Sequence, residues 1–374
     1  MAHGDVISGK VGDSGEMAPD DSIRQKVPRP KLSDWLELRL QWKGFIQKNL
    51  DEPMPPGVAW WQTLGNLLMT LLMLQFITGA ALALFYCPSP DHAYASVKAI
   101  TDEVPFGVYV RGIHHWGATL IVIAMMLHLL RVFFWGSYRK PREITWLSGV
   151  LIFNLMLGFS FTGYLLPWDQ KAYWATVVGT RIASTVPWFG DTIMRLIRGG
   201  DNVGALTLTR FFTIHVMVLP AALIAISGLH LYQVRAHHTA GPVVPRKGKS
   251  VPFWPVQLFR DAVVVLVAFA ILLALALLAK PELSGVADPS KADFTPRPEW
   301  YFLGLFELLK LIPPKLEVVG TCVVPGLLTA GMFLLPWLDR SPSRHPAKRQ
   351  WVIDVGLLIV FGIGILTLKG ILAD

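Results

Sequence analysis

Seven stretches of about 20 residues run through the chain almost without charge: 59–86 (A), 111–135 (B), 146–166 (C), 209–234 (D), 258–279 (E), 318–338 (F) and 351–371 (G). A helix of that length, at ~1.5 Å rise per residue, crosses a hydrocarbon core of ~30 Å, so each predicts a transmembrane helix. Upstream of them, Leu32, Trp35, Leu36, Leu40 and Phe45 recur on one side of a helical projection with charges opposite. That pattern predicts an interfacial amphipathic helix over 31–50, ended by Pro53, Pro55 and Pro56. Residues 1–30, polar and rich in Gly, Asp, Ser and Pro, predict a tail with no core of its own. The linker 241–255, rich in Pro, Gly and Lys, separates four spans from three. The expected domains are therefore 1–58, the tail and interfacial helix; 59–240, a four-helix unit; and 241–374, a three-helix unit.

Composition sharpens the class. Of 374 residues 53% are hydrophobic and 16% charged, and the mean hydropathy is +0.46, values that exclude an ordinary soluble domain and predict an all-α polytopic membrane protein. The net charge of +8 would suit nucleic acid, but more than half of the 34 Lys and Arg lie in the tail and in the B–C, D–E and F–G connections. That is the positive-inside asymmetry, which predicts an inner N-terminus and an outer C-terminus. The inner face is termed the negative side and the outer face the positive side; the loops 88–110, 167–208 and 280–317 then face the positive side. The N-terminus has no apolar core of signal-peptide length. Two cysteines, Cys87 and Cys322, are too few for a disulfide framework or an iron–sulfur cluster.

Ionisable residues inside spans B and D change the picture further, because groups at such depth mark function. His114 and His128 are 14 residues apart, a rotation of about −40° at ~100° per residue, so they share a face with ~21 Å between them along the axis. His215 and His230 are 15 apart, a rotation of about +60°, with Pro220 between them able to bend the helix. Spans B and D run in the same direction, which sets His114 against His215 near the positive side and His128 against His230 near the negative side. A single intramembrane histidine is more often a buried hydrogen-bonding group. Four in two matched pairs, without a carboxylate or cysteine beside them, point to two bis-histidine haems. His115 is turned by about −140° from His128 and points elsewhere.

A haem between helices needs room, which glycine supplies. Gly65 and Gly79 in span A, and Gly149 and Gly163 in span C, repeat the 14-residue interval of His114 and His128. Glycine is common in membrane helices, but three coincident intervals predict a four-helix di-haem bundle, with B and D ligating and A and C backing the porphyrin edges. Arg111, Arg131, Arg210 and Arg142, the last in the Arg139-Lys140-Pro141-Arg142 cluster, are candidate partners for the haem propionates; interfacial anchoring explains them equally well.

Taken together, these residues resemble the cytochrome b family of quinol–cytochrome c and quinol–plastocyanin oxidoreductase complexes. The matching segments are Gly65…Gly79, Arg111-Gly-Ile-His114…His128-Leu-Leu-Arg131, Lys140-Pro-Arg-Glu143-Ile-Thr-Trp146, Gly163-Tyr-Leu-Leu-Pro-Trp168-Asp-Gln170, Leu208-Thr-Arg210-Phe-Phe…His215…His230 and Pro298-Glu299-Trp300-Tyr301. They cover the chain from about residue 31 to its end. The 15-residue gap in span D is similar to the bf-type branch, mitochondrial-type members being shorter by one. Yet the four-span and three-span parts, separate subunits in that branch, are fused here. The resemblance places Thr63 where bf-type members attach an extra haem through cysteine, so two non-covalent b haems and no covalent third are expected.

The resemblance implies a quinone cycle in the respiratory chain. Quinol is oxidised near the positive side; one electron goes to a separate Rieske iron–sulfur protein and thence to a c-type cytochrome. The other crosses the two haems to a quinone near the negative side, coupled to proton translocation. It implies Glu299 as proton acceptor and Tyr301 as a second hydrogen-bonding group, in a positive-side pocket formed by Pro298, Glu299, Trp300 and Tyr301 and walled by Gly163, Tyr164 and Pro167. Read without it, Glu299 would more simply cap the helix that starts after Pro298. On the negative side Arg235 resembles the bf-type arginine, and Asp34, Lys43, His237 and His238 are further candidates whose solvation alone would explain them. A homodimer in an energy-transducing bacterial membrane is the implied setting. A non-catalytic di-haem anchor would need neither seven spans nor Pro298-Glu299-Trp300-Tyr301, and a haem-free transporter would not need the glycine repeats.

Overall fold

The computed structural model describes residues 31–244, 246–291, 294–295 and 297–373; the expected tail over 1–30 lies outside them. The chain forms two compact units, Met1–Asn49 and Leu50–Asp374. The first carries α1 (Leu32–Leu40) and leads into α2 (Trp42–Leu50). A single helix over 31–50 is not formed. Gln41 adopts φ 48°, ψ 34°, the left-handed region that a right-handed helix cannot continue through, and its N–H closes α1 on the Glu37 carbonyl. Leu32, Leu40 and Phe45 are exposed on these helices.

The second unit contains α3 (Leu64–Ala83), α4 (Ala93–Asp102), α5 (Gly107–Phe134), α6 (Glu143–Tyr164), α7 (Gln170–Ser184), α8 (Gly190–Arg198), α9 (Ala205–Thr213), α10 (Leu219–His237), α11 (Val256–Leu278), α12 (Trp300–Lys310), α13 (Val324–Leu338) and α14 (Gln350–Leu372). Among the described residues seven helical stretches are long and apolar enough to cross a membrane: Trp60–Ala83, Gly107–Phe134, Glu143–Tyr164, Ala205–His237, Val256–Leu278, Val319–Leu338 and Gln350–Leu372. They match spans A to G. Span D is longer than its apolar core because α9 runs without a break into α10 through a π-helical turn, Ile214–Val218. A second π turn, Val319–Val323, begins span F.

Packing follows from where large apolar residues meet. Leu64, Leu67, Leu68, Leu71 and Leu72 of α3 interlock with Ile121, Ala124 and Met125 of α5, Ile152 and Met156 of α6, Leu223 of α10, and Ala268 and Leu272 of α11. Small residues let helices approach: a Cβ at Gly112 would lie 3.0 Å from the Ala276 side chain across α5 and α11. Indole donors then tie spans together, Trp146 Nε1 to the Met332 carbonyl (2.6 Å) and Trp116 Nε1 to the Ala279 carbonyl (2.7 Å). The outward faces remain apolar, as on α14 with Leu358, Phe361 and Ile365 exposed, the surface that hydrocarbon solvates and water does not.

Two connections latch onto neighbours and position loops. Pro53–Met54 (β1) pairs antiparallel with Val251–Pro252 (β2), closing the segment before span A on the segment before span E. On the other side Asp169 caps α7, accepting from the Ala172 N–H (2.8 Å), and its second oxygen accepts from the Ser284 N–H (2.9 Å). Gln170 accepts from the Asp288 N–H (2.6 Å). The loop that leads to Glu299 is therefore fastened to the start of α7.

Candidate functional site

Four glycines of α3 and α6 each face one histidine of spans B and D. A Cβ at Gly79 would stand 3.1 Å from His114 Cε1, at Gly163 2.6 Å from His215 Cε1, at Gly149 3.3 Å from His230 Cε1, and at Gly65 3.8 Å from His128 Cε1. At Gly163 a side chain would overlap the imidazole, so the close approach demands glycine. His114 and His215 interact electrostatically, as do His128 and His230. His115 instead packs edge-on to Trp116 at 5.0 Å.

The residue before three of these glycines fixes the imidazole. Thr78 donates its hydroxyl proton to the Leu74 carbonyl (2.7 Å), Ser148 to Thr145 (3.0 Å) and Thr162 to Gly158 (2.8 Å). With that proton committed, the oxygen accepts from histidine: His114 Nδ1 lies 2.9 Å from Thr78, His230 Nδ1 2.9 Å from Ser148 and His215 Nδ1 3.0 Å from Thr162. In that arrangement the imidazole donates from Nδ1, the tautomer that leaves the Nε2 lone pair for a metal. His128 differs, since Leu64 precedes Gly65. These hydroxyls were not singled out from sequence, although a Ser or Thr directly before three of four spaced glycines was visible there.

The rotation of about +60° expected between His215 and His230 is corrected by the π turn at Ile214–Val218. A π turn adds one residue without advancing the face, so 15 residues behave as 14 and the pair falls into the register of His114 and His128. Pro220, just beyond it, would crowd the carbonyl four residues back, which the wider turn relieves.

A cavity surrounds His128 and His230, the lower pair as against the upper pair His114 and His215, and is lined by Gly65, His128, Gly149 and His230 together with Arg131, Arg142, Arg235, Glu52, Asn66 and Gln257. Arg131 Nε and Arg142 Nε are buried in it without a partner among the described residues, which fits two acidic substituents of a bound group. The upper cations are more committed: Arg111 donates to Thr101 Oγ1 (3.2 Å) and the Pro281 carbonyl (2.9 Å), and Arg210 to the Leu196 carbonyl. Arg235 pairs with Glu52 at 3.3 Å, and His238 Nδ1 lies 2.8 Å from the same carboxylate. Glu52 was not anticipated, nor was Asp261, which is buried and hydrogen-bonded to Asn66 and to Gln257 (3.0 Å). Asp34 and Lys43 belong to the first unit, where Asp34 accepts from Ser33 (3.3 Å) and the Lys43 N–H donates to Glu37 (2.9 Å). Thr63 is buried, its hydroxyl donated to the Trp60 carbonyl (2.6 Å).

A second cavity, of about 360 Å³, is nearly all apolar and is lined by Ser160, Phe161, Tyr164, Val178, Ile182, Pro298, Glu299, Phe302 and Phe306. Glu299 stands at the N-cap position of α12 but its side chain makes no capping bond, so the capping role is not the one it plays. Desolvation raises its carboxyl above the usual range, a shift that the charge of Lys171 opposes. Tyr301, raised first by burial and then by Glu299, reaches Ser160 with its phenol and meets Trp300 edge-on at 5.4 Å. Gly163 faces His215 rather than this cavity, and Pro167, Trp300 and Tyr301 are not among its lining residues; on α12 it is Phe302 and Phe306 that turn toward it.

Comparison with known proteins agrees with this architecture. Family models described as "Cytochrome b/b6/petB" and "Cytochrome b(C-terminal)/b6/petD" match residues 49–238 and 286–373. "Cytochrome b/c1" of Bradyrhizobium diazoefficiens is 36% identical over 90% of this chain, which spans about half (50%) of that protein's length. "Menaquinol:cytochrome c reductase cytochrome b subunit" of Geobacillus thermodenitrificans is 44% identical over 57% of this chain and 99% of its own. A solved structure titled "Hyperthermophilic respiratory Complex III" superposes with a TM-score of 0.82 at 29% identity, covering 91% of both chains. With both halves of the family matched, and with helices that set four histidines against four glycines, the chain belongs to the cytochrome b/b6 family.

Proposed function

We propose that this chain is the redox subunit of a membrane quinol–cytochrome c oxidoreductase, binding two b haems and oxidising quinol near the positive side while reducing quinone near the negative side. One observation carries the reading. Each of four histidines presents its ring across from a glycine, in two pairs, and three hold Nδ1 against a hydroxyl, an arrangement that suits the tautomer with Nε2 free. In this reading His114 with His215, and His128 with His230, would each hold the iron of one haem; Gly65, Gly79, Gly149 and Gly163 would leave room for the macrocycles; Arg131 and Arg142 would meet propionates. Bound haem supplies one-electron steps between the two sides.

At the positive side the apolar cavity admits a quinol ring and Glu299 accepts a hydroxyl proton. The raised carboxyl suits that task, since a base poised nearer neutrality takes a proton and releases it again. Tyr301, which does not line that cavity, enters this reading as a second hydrogen-bonding group only through the family resemblance. At the negative side Arg235, Glu52, Asp261 and Asn66 provide polar groups beside the lower pair for a quinone that takes up protons. The support for quinol as reductant and a c-type cytochrome as acceptor is the naming of the relatives and the likeness to a Complex III. A Rieske protein, a homodimeric assembly and an inner N-terminus belong to the same proposal. A reduced-minus-oxidised difference spectrum of membranes tests it: two b-type centres reducible by quinol are expected, and their absence would sink the reading.

A further inference from the structure

Positive charge crowds the negative-side end of the cavity that holds His128 and His230. The Arg131 guanidinium stacks over the Trp135 ring at 4.4 Å and donates Nη2 to the Ala240 carbonyl (3.2 Å). Arg142 donates Nη2 to the His237 carbonyl (2.9 Å). A third guanidinium arrives from the F–G connection: Arg344 donates Nε to the Trp135 carbonyl (3.1 Å) and Nη2 to the Gly241 carbonyl (3.0 Å). Arg131 and Arg344 thus share Trp135 and bind adjacent carbonyls, 240 and 241, which makes their guanidiniums neighbours. The nearby carboxylate of Asp339 is already engaged by Tyr138 (2.5 Å) and Arg349 (3.5 Å).

Carbonyls and the C-terminal ends of α5 and α10 offset only part of this charge, about half a unit per helix end. Three neighbouring guanidiniums call for an anion: Arg131 and Arg142 line the cavity that would hold one and keep buried, unpartnered Nε atoms, while Arg344 adds its charge from outside that lining. We propose that Arg344 is the third cation of an anion site begun by Arg131 and Arg142, that the anion is the carboxylate edge of the haem held by His128 and His230, and that the C-terminal unit thereby raises that haem's redox potential. The inference rests on the haem reading above. Its sign is electrostatic: reduction adds an electron beside a fixed positive charge, so the charge favours the reduced form and its removal lowers the potential.

Redox titration of membranes containing the full complex, followed through the b-type absorbance, tests this. Wild type resolves two transitions, and the one abolished by His230→Leu is the negative-side haem. Arg344→Gln is expected to lower the midpoint of that transition, or to lose that haem, while leaving the other unmoved; Arg344→Lys retains the wild-type midpoint. Unchanged midpoints in Arg344→Gln, which an anionic lipid on Arg344 would give, overturn the inference. So do a common shift of both transitions and an equal effect of Arg344→Lys, either of which marks a merely structural role. A wild-type protein without two b-type transitions would instead remove the haem reading itself.

Discussion

Thr162 illustrates how much a single hydroxyl decides. Its proton goes to the Gly158 carbonyl, so its oxygen accepts from His215 Nδ1–H. Thr162→Val keeps the shape but removes one of the two acceptors facing His215, the Phe159 carbonyl being the other, at a cost of about 0.5–1.5 kcal/mol. The expected outcome is haem retention weaker by about 10–100-fold at the upper pair, with a raised midpoint because the ligand becomes less basic; haem content and redox titration measure both. Glu299 makes a second prediction. Its carboxyl, raised by burial, can accept a proton only when ionised. Quinol oxidation should therefore rise with pH through that elevated value. Glu299→Gln should cut turnover by roughly 10²–10⁴-fold and flatten the pH profile; a wild-type rate in the glutamine variant would end the proposed role. The histidines and glycines were legible because their spacing is periodic. The hydroxyls were not, because a Ser or Thr in a membrane helix usually back-bonds to its own turn, as these also do. Only coordinates show the second partner.

Helices and their junctions carry the next layer. All seven spans were readable from hydropathy, to within a few residues at most ends, since unbroken apolar length has few other meanings. The π turn at Ile214–Val218 was not readable: no residue type marks it, and Pro220 alone predicts a bend. The break at Gln41 was missed for the same reason, a left-handed residue without glycine. Neither the polar residues around Glu52 nor the latch among Tyr138, Asp339 and Arg349 has a sequence signature, because His238 lies 186 positions from Glu52 and Asp339 lies 201 from Tyr138. That latch is fully buried, with Arg349 and Asp339 side chains at 0% exposure, and it joins the B–C connection to the F–G connection. Burial pushes the Asp339 carboxyl up, but bonds from Ser341 and Tyr138 and the charge of Arg349 outweigh it and hold it below the usual range. Arg349→Ala strands that carboxylate, and the expected loss is about 3–5 kcal/mol, visible as a lower temperature of thermal unfolding in detergent. A depressed carboxyl stabilises the fold above its unfolded value, so the wild-type protein should lose this contribution as pH falls through the folded one. The alanine variant should show a shallower acid dependence.

Across the whole molecule, the contacts between the four-span and three-span parts predict that their covalent linkage is dispensable. A relative that aligns over 99% of its own length to 57% of this chain is a shorter chain of the same family. The two parts meet through the pairing of Pro53–Met54 with Val251–Pro252, the bond from Trp146 to Met332, the Tyr138–Asp339–Arg349 latch and the fastening of Asp169 to Ser284. These lie toward both ends of the bundle, so they resist tilting as well as separation. Cutting between Lys247 and Gly248, both exposed, removes only the high effective concentration that the linker supplies. Co-expressed as two chains, the halves should assemble in membranes with both b-type transitions at wild-type midpoints, provided the cut leaves β2 with the C-terminal half. The first half expressed alone retains His114, His128, His215 and His230 but not Arg344, Asp339 or Glu299. Any haem it binds at the lower pair should titrate below the wild-type midpoint, and quinol oxidation should be absent. If the lower-pair haem of that half keeps its full potential, the electrostatic contribution of the C-terminal part is refuted, whether or not the two-chain protein assembles.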